Sequence, residues 1–223
     1  MEIVSTIAEV RERVKDADVI VLAVKPQFYE AVIKEIKDAV RADQIIVTIA
    51  PGKTLAWLRE KFGKDVKIVR TMPNTPSMVG EGMTGVCYDQ TALNFEEKDV
   101  IEKFFSSFGK YKVVEERLMS AVTCVSGSSP AYVYMFIEAL ADSAVKYGMP
   151  RDAAYEMAAQ TVVGAAKMVL ETKEHPGKLK DQVCSPGGTT IAAVAALEEY
   201  GFRNSIIKAT DACFGVAEGF KRK

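Results

Sequence analysis

Apolar residues follow two different rhythms along this chain. In the first half they form short continuous runs. Asp18-Val19-Ile20-Val21-Leu22-Ala23-Val24 is one, ending at Lys25-Pro26, and Gln44-Ile45-Ile46-Val47-Thr48-Ile49-Ala50 is another, ending at Pro51-Gly52-Lys53. Val66-Lys67-Ile68-Val69-Arg70 is a third. Runs rich in β-branched residues and bounded by proline and glycine fit strands covered on both faces of a parallel sheet. Between the first two runs, Phe28, Ala31, Val32, Ile36 and Val40 recur at three- and four-residue spacing, which is one face of a helix. A short helix over Thr54 to Phe62 separates the second and third. Strand alternating with helix predicts a doubly wound α/β half. Val86-Cys87-Tyr88 reads as a further strand, and the residues before Asp18 have room for a short strand, Glu2 to Thr6, and a helix.

From about Glu116 the strand pattern stops. Ala131 to Tyr147 is helical, with Glu138, Asp142 and Lys146 four apart on one narrow stripe and apolar residues elsewhere. The next helix, Arg151 to Thr172, repeats the design with Asp152, Glu156 and Gln160, and its Gly164-Ala165-Ala166 patch suits close helix approach. Two more helices are expected, from Thr189 to Tyr200 and from Arg203 to Phe220. Helices with so little polar face need cover on most sides. The pattern therefore predicts that this half packs against a second copy of the chain. The domain division expected is 1–115 for the sheet half and 116–223 for the helical half.

Composition narrows the function. Of 223 residues, 48% are hydrophobic, enough for a sizeable core. Lysine plus arginine is 29 against 30 acidic residues, a net charge of −1, which argues against a nucleic-acid partner because phosphate binding needs a basic face. The basic end Lys221 to Lys223 reads as a solvated tail. Cys87, Cys124, Cys184 and Cys213 are too far apart for a zinc knuckle or a redox pair, and each adjoins apolar sequence, as free buried thiols do. The single histidine, His175, precedes Pro176 and reads as a helix boundary. With no signal peptide and no apolar run long enough for a bilayer, the expectation is a cytoplasmic protein without a membrane partner.

Four loops carry candidate chemistry. Ligands of open α/β sheets bind beyond the carboxyl ends of the strands. Val24-Lys25-Pro26 and Ala50-Pro51-Gly52 each end a predicted strand there, Met72-Pro73-Asn74-Thr75-Pro76 follows the third, and Asn74 and Thr75 offer polar atoms suited to a carboxamide. The fourth is Cys184-Ser185-Pro186-Gly187-Gly188-Thr189-Thr190 before an apolar helix. Its glycines permit close backbone approach, and the helix start presents N–H groups to an anion such as a carboxylate. Thr189 alone would read as a cap; the glycine pair asks for more. Ser126 to Tyr132 has similar, weaker logic. A G-x-G-x-x-G match at Gly80 to Gly85 follows a proline-rich loop and leads into a strand, so it lacks the strand–glycine–helix context of a dinucleotide fingerprint.

At these residues the chain resembles the pyrroline-5-carboxylate reductase family. The segments are Leu22 to Gln27, Met72 to Pro76 with Val79 to Gly82, Ser126 to Tyr132, His175 to Asp181, and Ser185 to Ile191, in the family's order and spanning nearly the whole chain. The resemblance implies a Rossmann-type dinucleotide-binding domain followed by a helical substrate-binding and dimerisation domain. It implies reduction of 1-pyrroline-5-carboxylate to L-proline by NADPH or NADH, in a homodimer or a larger assembly. It also implies roles: Ala23, Val24, Lys25, Pro26, Ile49, Ala50, Pro51 and Asn74 at the cofactor, with Gln182 contributed across the dimer. Glu116 is expected near the substrate, and Gly187, Gly188, Thr189 and Thr190 around its carboxylate. Thr190 is the expected catalytic residue, hydrogen-bonding the ring nitrogen; orienting the ring suits it better than acid catalysis, because a threonine hydroxyl is a poor acid. Imine reduction needs a hydride, a proton and an oriented substrate, so no metal is required.

The pattern departs from the family in places. Ser129 stands where glycine is common, and Pro51 where alanine is usual, which removes an N–H. A glycine-rich phosphate loop with its ribose-binding partner takes roughly 40–50 residues, and nothing before Asp18 matches one. The expectation is a chain shortened at its N-terminus, with a non-catalytic oligomeric scaffold as the alternative function. A β-hydroxyacid dehydrogenase is excluded, because Asn74, Asn94 and Asn204 cannot form its paired-asparagine helix.

Overall fold

The computed structural model describes residues 7–63 and 65–219. The strand expected over Glu2 to Thr6 and the tail Lys221 to Lys223 lie outside the described residues. The three apolar runs form β1 (Val19–Leu22), β2 (Ile45–Thr48) and β3 (Lys67–Met72), joined by β4 (Gly82–Tyr88) and β5 (Gly109–Val113). The sheet keeps chain order, β1-β2-β3-β4-β5. The first three strands are parallel, β4 runs antiparallel to β3, and β5 is parallel to β4. The expected parallel sheet thus reverses once. The reason is length: the link Pro73 to Glu81 is shorter than the roughly dozen residues a parallel crossover needs.

Four helices accompany the sheet: α1 (Ile7–Arg13), α2 (Tyr29–Ile36), α3 (Leu55–Phe62) and α4 (Phe95–Ser106). Neither α4 nor β5 was expected from the hydrophobic pattern. Yet α4 opens on a readable signal, since the Asn94 side chain accepts from the Glu97 N–H and Glu97 accepts from the Asn94 N–H, both at 2.9 Å. The strand side chains then alternate between two cores. Leu22, Ile46 and Ile68 pack with Tyr29, Ile33, Leu58 and Phe62 of α2 and α3. Ile45, Val47, Val69 and Val86 pack with Ile101 and Phe105 of α4. Cover on both faces is why β2 is apolar at consecutive positions and buried throughout.

The remaining helices are α5 (Met119–Val122), α6 (Ser129–Lys146), α7 (Arg151–Thr172), α8 (Pro176–Val183), α9 (Thr189–Glu199) and α10 (Phe202–Ala217), with a π-helical turn at Thr123–Gly127. The chain divides into two compact units: Ala131–Asp211, and the rest up to Pro130 together with the chain from Ala212. Helical pattern begins near Glu116, but α5 and the π turn pack on the sheet. Met119 is buried in the α2–α3 core, a Cβ on Gly85 would strike Val122 at 2.4 Å, and one on Gly127 would strike Met72 at 2.5 Å. In the helical unit Ala141, Ala154 and Ala158 are the buried centre of the α6–α7 contact. The Gly164 patch has nothing within 4 Å where a Cβ would stand, so within one chain it is not the site of close helix approach.

Candidate functional site

β1, β2 and β3 are parallel, so their carboxyl ends share one edge of the sheet. Ala23, Val24, Lys25 and Pro26 leave that edge exposed, Ile49 is half-buried, and Pro51 is exposed. Ala50 is corrected: it is 3% exposed and belongs to the core behind the loop, so it does not line a groove. Two exposed loops at neighbouring strand ends, one of them carrying the exposed Lys25, fit an extended anionic ligand such as a dinucleotide laid across the strand ends. Pro51 can offer only its carbonyl.

A residue outside the expected set ties these two loops together. Tyr29, at the start of α2, is fully buried, and its hydroxyl donates to the Leu22 carbonyl at 2.5 Å and accepts from the Ile49 N–H at 3.2 Å. Burial pushes its pKa up despite the hydrogen bond from the Ile49 N–H, so the hydroxyl stays a donor. The spacing of a helix face marks Tyr29 as core; nothing in the pattern says where its hydroxyl points.

Asn74 follows β3, but its amide is already at work in the fold. Its Oδ1 accepts from the Met83 N–H at 2.9 Å, and its Nδ2 donates to the Ser126 carbonyl at 3.1 Å, fastening the start of β4 to the π turn. The glycines of the Gly80 to Gly85 match are structural too. A Cβ on Gly82 would meet Ser77 Oγ at 2.1 Å and the Phe108 carbonyl at 2.8 Å. Gly82 and Gly85 permit close packing, and Gly80 takes a φ of +77° at the turn before β4.

Glu116 sits under the N-terminus of α3. Its Oε1 accepts from the Leu55 N–H at 2.7 Å and from Arg70 Nη1 at 2.9 Å. The carboxylate satisfies a helix N-terminus and balances an arginine whose side chain is only 10% exposed. The residue expected near substrate therefore has a structural task within this unit.

Gly187, Gly188, Thr189, Thr190 and Gln182 all belong to the helical unit. The Gly188 N–H closes a turn onto the Ser185 carbonyl at 3.0 Å, and Gly187 has a φ of +69°, which favours glycine. A Cβ on Gly188 would lie 3.2 Å from the Ser185 carbonyl. The turn itself therefore accounts for the glycine pair. Gly188, not Thr189, is the cap residue of α9, and no side chain caps this helix. Thr189 is exposed and Thr190 half-buried, so both hydroxyls and the first-turn N–H groups remain for a ligand. Gln182 is exposed on α8. His175 caps α8, its Nδ1 accepting from the Gly177 N–H at 3.1 Å, as the His-Pro pair predicted.

Two of the four thiols are held protonated by their surroundings. Cys87 and Cys124 are buried, and Cys184 and Cys213 half-buried rather than fully enclosed. Burial raises the Cys87 pKa, and burial with the adjoining Cys213 thiol pushes Cys124 up to about 11. Among the described residues no cluster of His, Cys, Asp and Glu could hold a metal ion, and no helix is long and apolar enough to cross a membrane.

Residues 116–219 match the family described as pyrroline-5-carboxylate reductase dimerisation, and residues 2–52 match that described as NADP oxidoreductase, coenzyme F420-dependent. The pyrroline-5-carboxylate reductase of Escherichia coli (strain K12) is 52% identical over 202 residues, covering 91% of this chain and 75% of that protein. That of Glycine max is 44% identical, covering 88% of this chain and 71% of its own. The crystal structure of Plasmodium falciparum pyrroline carboxylate reductase with NADP bound superposes with a TM-score of 0.86 at 34% identity, over 94% of this chain and 79% of that one. The structure of a pyrroline-5-carboxylate reductase from Coxiella burnetii gives 0.86 at 35% identity, over 96% and 79%.

Proposed function

Since the chain belongs to the pyrroline-5-carboxylate reductase family, we propose that it reduces 1-pyrroline-5-carboxylate to L-proline with NADPH or NADH, as a cytoplasmic homodimer. The observation that carries the reading is the start of α9. A glycine turn delivers a helix N-terminus that no side chain caps, with two threonine hydroxyls beside it. Such a site takes a small carboxylate without an arginine.

When bound, the nicotinamide supplies the hydride. The chain's own residues bind and orient the two molecules, and the ring nitrogen takes its proton from solvent. First-turn N–H groups of α9 hold the substrate carboxylate, and the Gly187-Gly188 turn brings it to them. The Thr190 hydroxyl donates to the ring nitrogen and fixes which face of the imine is presented. Ala23 to Pro26, Ile49 and Pro51 border the cofactor, with Gln182 of a second copy alongside. Glu116 and Asn74 contribute through atoms their structural hydrogen bonds leave over. Large apolar side chains exposed on α6, α7 and α10, among them Met135, Met157 and Ile207, support pairing of two copies. The functional boundary between cofactor and substrate halves is set at residue 116.

Thr190→Val tests the reading in an assay of pyrroline-5-carboxylate-dependent NADPH oxidation. Loss of one substrate hydrogen bond lowers kcat/KM by about 10- to 100-fold, and Thr190→Ser restores most of it. A parent chain that binds NADPH at micromolar concentration but turns over no pyrroline-5-carboxylate overturns the enzyme assignment. One that dimerises without dinucleotide affinity fits the non-catalytic scaffold.

A further inference from the structure

We infer that Tyr29 is a positioning residue for the dinucleotide: its hydroxyl sets the spacing between the ends of β1 and β2, and through it the cofactor affinity. The inference rests on the reading that the cofactor crosses these strand ends. The ladder between the two strands shows why a side chain matters there. The Ile45 N–H donates to the Asp18 carbonyl at 3.0 Å. Parallel rungs recur every two residues along the register Val19↔Ile45 to Leu22↔Thr48, so the last rung falls between the Leu22 carbonyl and the Ile49 N–H. At that rung stands the Tyr29 hydroxyl, donating to the first at 2.5 Å and accepting from the second at 3.2 Å.

The hydroxyl therefore touches the residue before Ala23 to Pro26 and the first residue of Ile49 to Pro51. The ring holds it there, being fully buried among Leu22, Ile33, Ile46 and Leu58. One rigid phenol joins the roots of both loops, and no other side chain hydrogen-bonds both strand ends among the described residues. Without it, the Leu22 carbonyl and Ile49 N–H lose a shared partner in a buried place. The two loops then either close toward each other or move independently. Each outcome changes the groove while leaving α9 and its threonines alone.

Tyr29→Phe keeps the ring and removes only the hydroxyl. Two readouts test it in the whole chain. In hydrogen exchange, the Ile49 amide should exchange about 5- to 10-fold faster, the consequence of one lost hydrogen bond. In steady state, KM for NADPH and its Kd by fluorescence titration should rise about 5- to 30-fold, with KM for pyrroline-5-carboxylate within about twofold of the parent. Ile33→Val, a core change beside the same ring, controls for lost stability and should leave the NADPH Kd unmoved. A Tyr29→Phe variant that binds NADPH like a binding-competent parent overturns the inference alone. So does an Ile33→Val variant that weakens NADPH equally. A parent without NADPH affinity overturns the groove reading itself, and the inference with it.

Discussion

The sheet unit encloses a core of large apolar side chains within one chain, whereas the helical unit leaves most of its large apolar side chains open. Tyr29, Ile33, Ile36, Ile46, Leu58 and Phe105 are all but inaccessible around the sheet. In the helical unit the fully buried apolar residues are three alanines, Ala141, Ala154 and Ala158. Tyr134, Met135, Met157, Tyr200 and Ile207 meanwhile face outward, Met135 at 68% exposure. Both regions are rich in apolar residues, so composition does not separate them. What differs is geometry. A sheet offers two faces that α2, α3 and α4 can cover, while a helix apolar over most of its circumference cannot be covered by one or two neighbours. If a second copy covers those faces, the stability of the unit is tied to association and becomes concentration-dependent.

The sharpest way to break this contrast is Met135→Asp on α6. If that face is covered by a second copy, each copy buries an unpaired carboxylate at about 3–5 kcal/mol. Sedimentation should then find monomers at concentrations where the parent is paired; an unchanged dimer would remove the explanation for the open helices. Leu58→Ala probes the other side. A cavity in a closed core should cost about 2–5 kcal/mol in urea unfolding, with the association constant unmoved. Coupled losses would mean the two units are not separable.

Glu116→Ala should lower stability by about 1–3 kcal/mol, because it strands Arg70 and uncaps Leu55. Glu116→Gln keeps an acceptor for the Leu55 N–H and isolates the charge. A substrate role predicts a raised KM for pyrroline-5-carboxylate in Glu116→Gln beyond any change in unfolding; stability moving alone argues for structure only. The smallest effect is at the α4 cap, where Asn94→Ala should cost about 1 kcal/mol. Burial presses the Glu97 pKa upward, but Lys67 and the Asn94 N–H outweigh it and hold the carboxyl below its ordinary value. A depressed folded pKa gives stability that is present above the ordinary carboxylate range and lost as pH falls through the folded value. Glu97→Gln should therefore flatten the acid limb of stability against pH, and an unchanged limb would place the acid sensitivity elsewhere.

Periodicity was enough for β1, β2, β3 and the long helices, because each carries many residues of one rhythm. The interval Arg151 to Thr172 emerged as drawn. It was not enough for α4, where the apolar rhythm of Ile101, Phe104 and Phe105 occupies only the second half of the helix and the start is written in the Asn94–Glu97 box. Nor could it foresee the reversal at β4, since strand direction depends on how far a link can reach. Among candidate residues, Thr190 and Gly187 needed only local chemistry, a turn opening a helix. Glu116 and Asn74 were marked as functional, yet their observed partners, Arg70 and Ser126, are 46 and 52 positions away in the chain.

The sequence by itself determined that this chain has a sheet half and a half of apolar helices, and it carried the family's segments in order. Those properties live in short windows, where side-chain spacing decides. Only the tertiary structure decided that Ala50 faces inward, that Gly82 and Gly85 serve packing, and that Tyr29 bridges Leu22 to Ile49. Burial and hydrogen-bond partners are set by which strands become neighbours, and that is a property of the assembled sheet rather than of any stretch of chain.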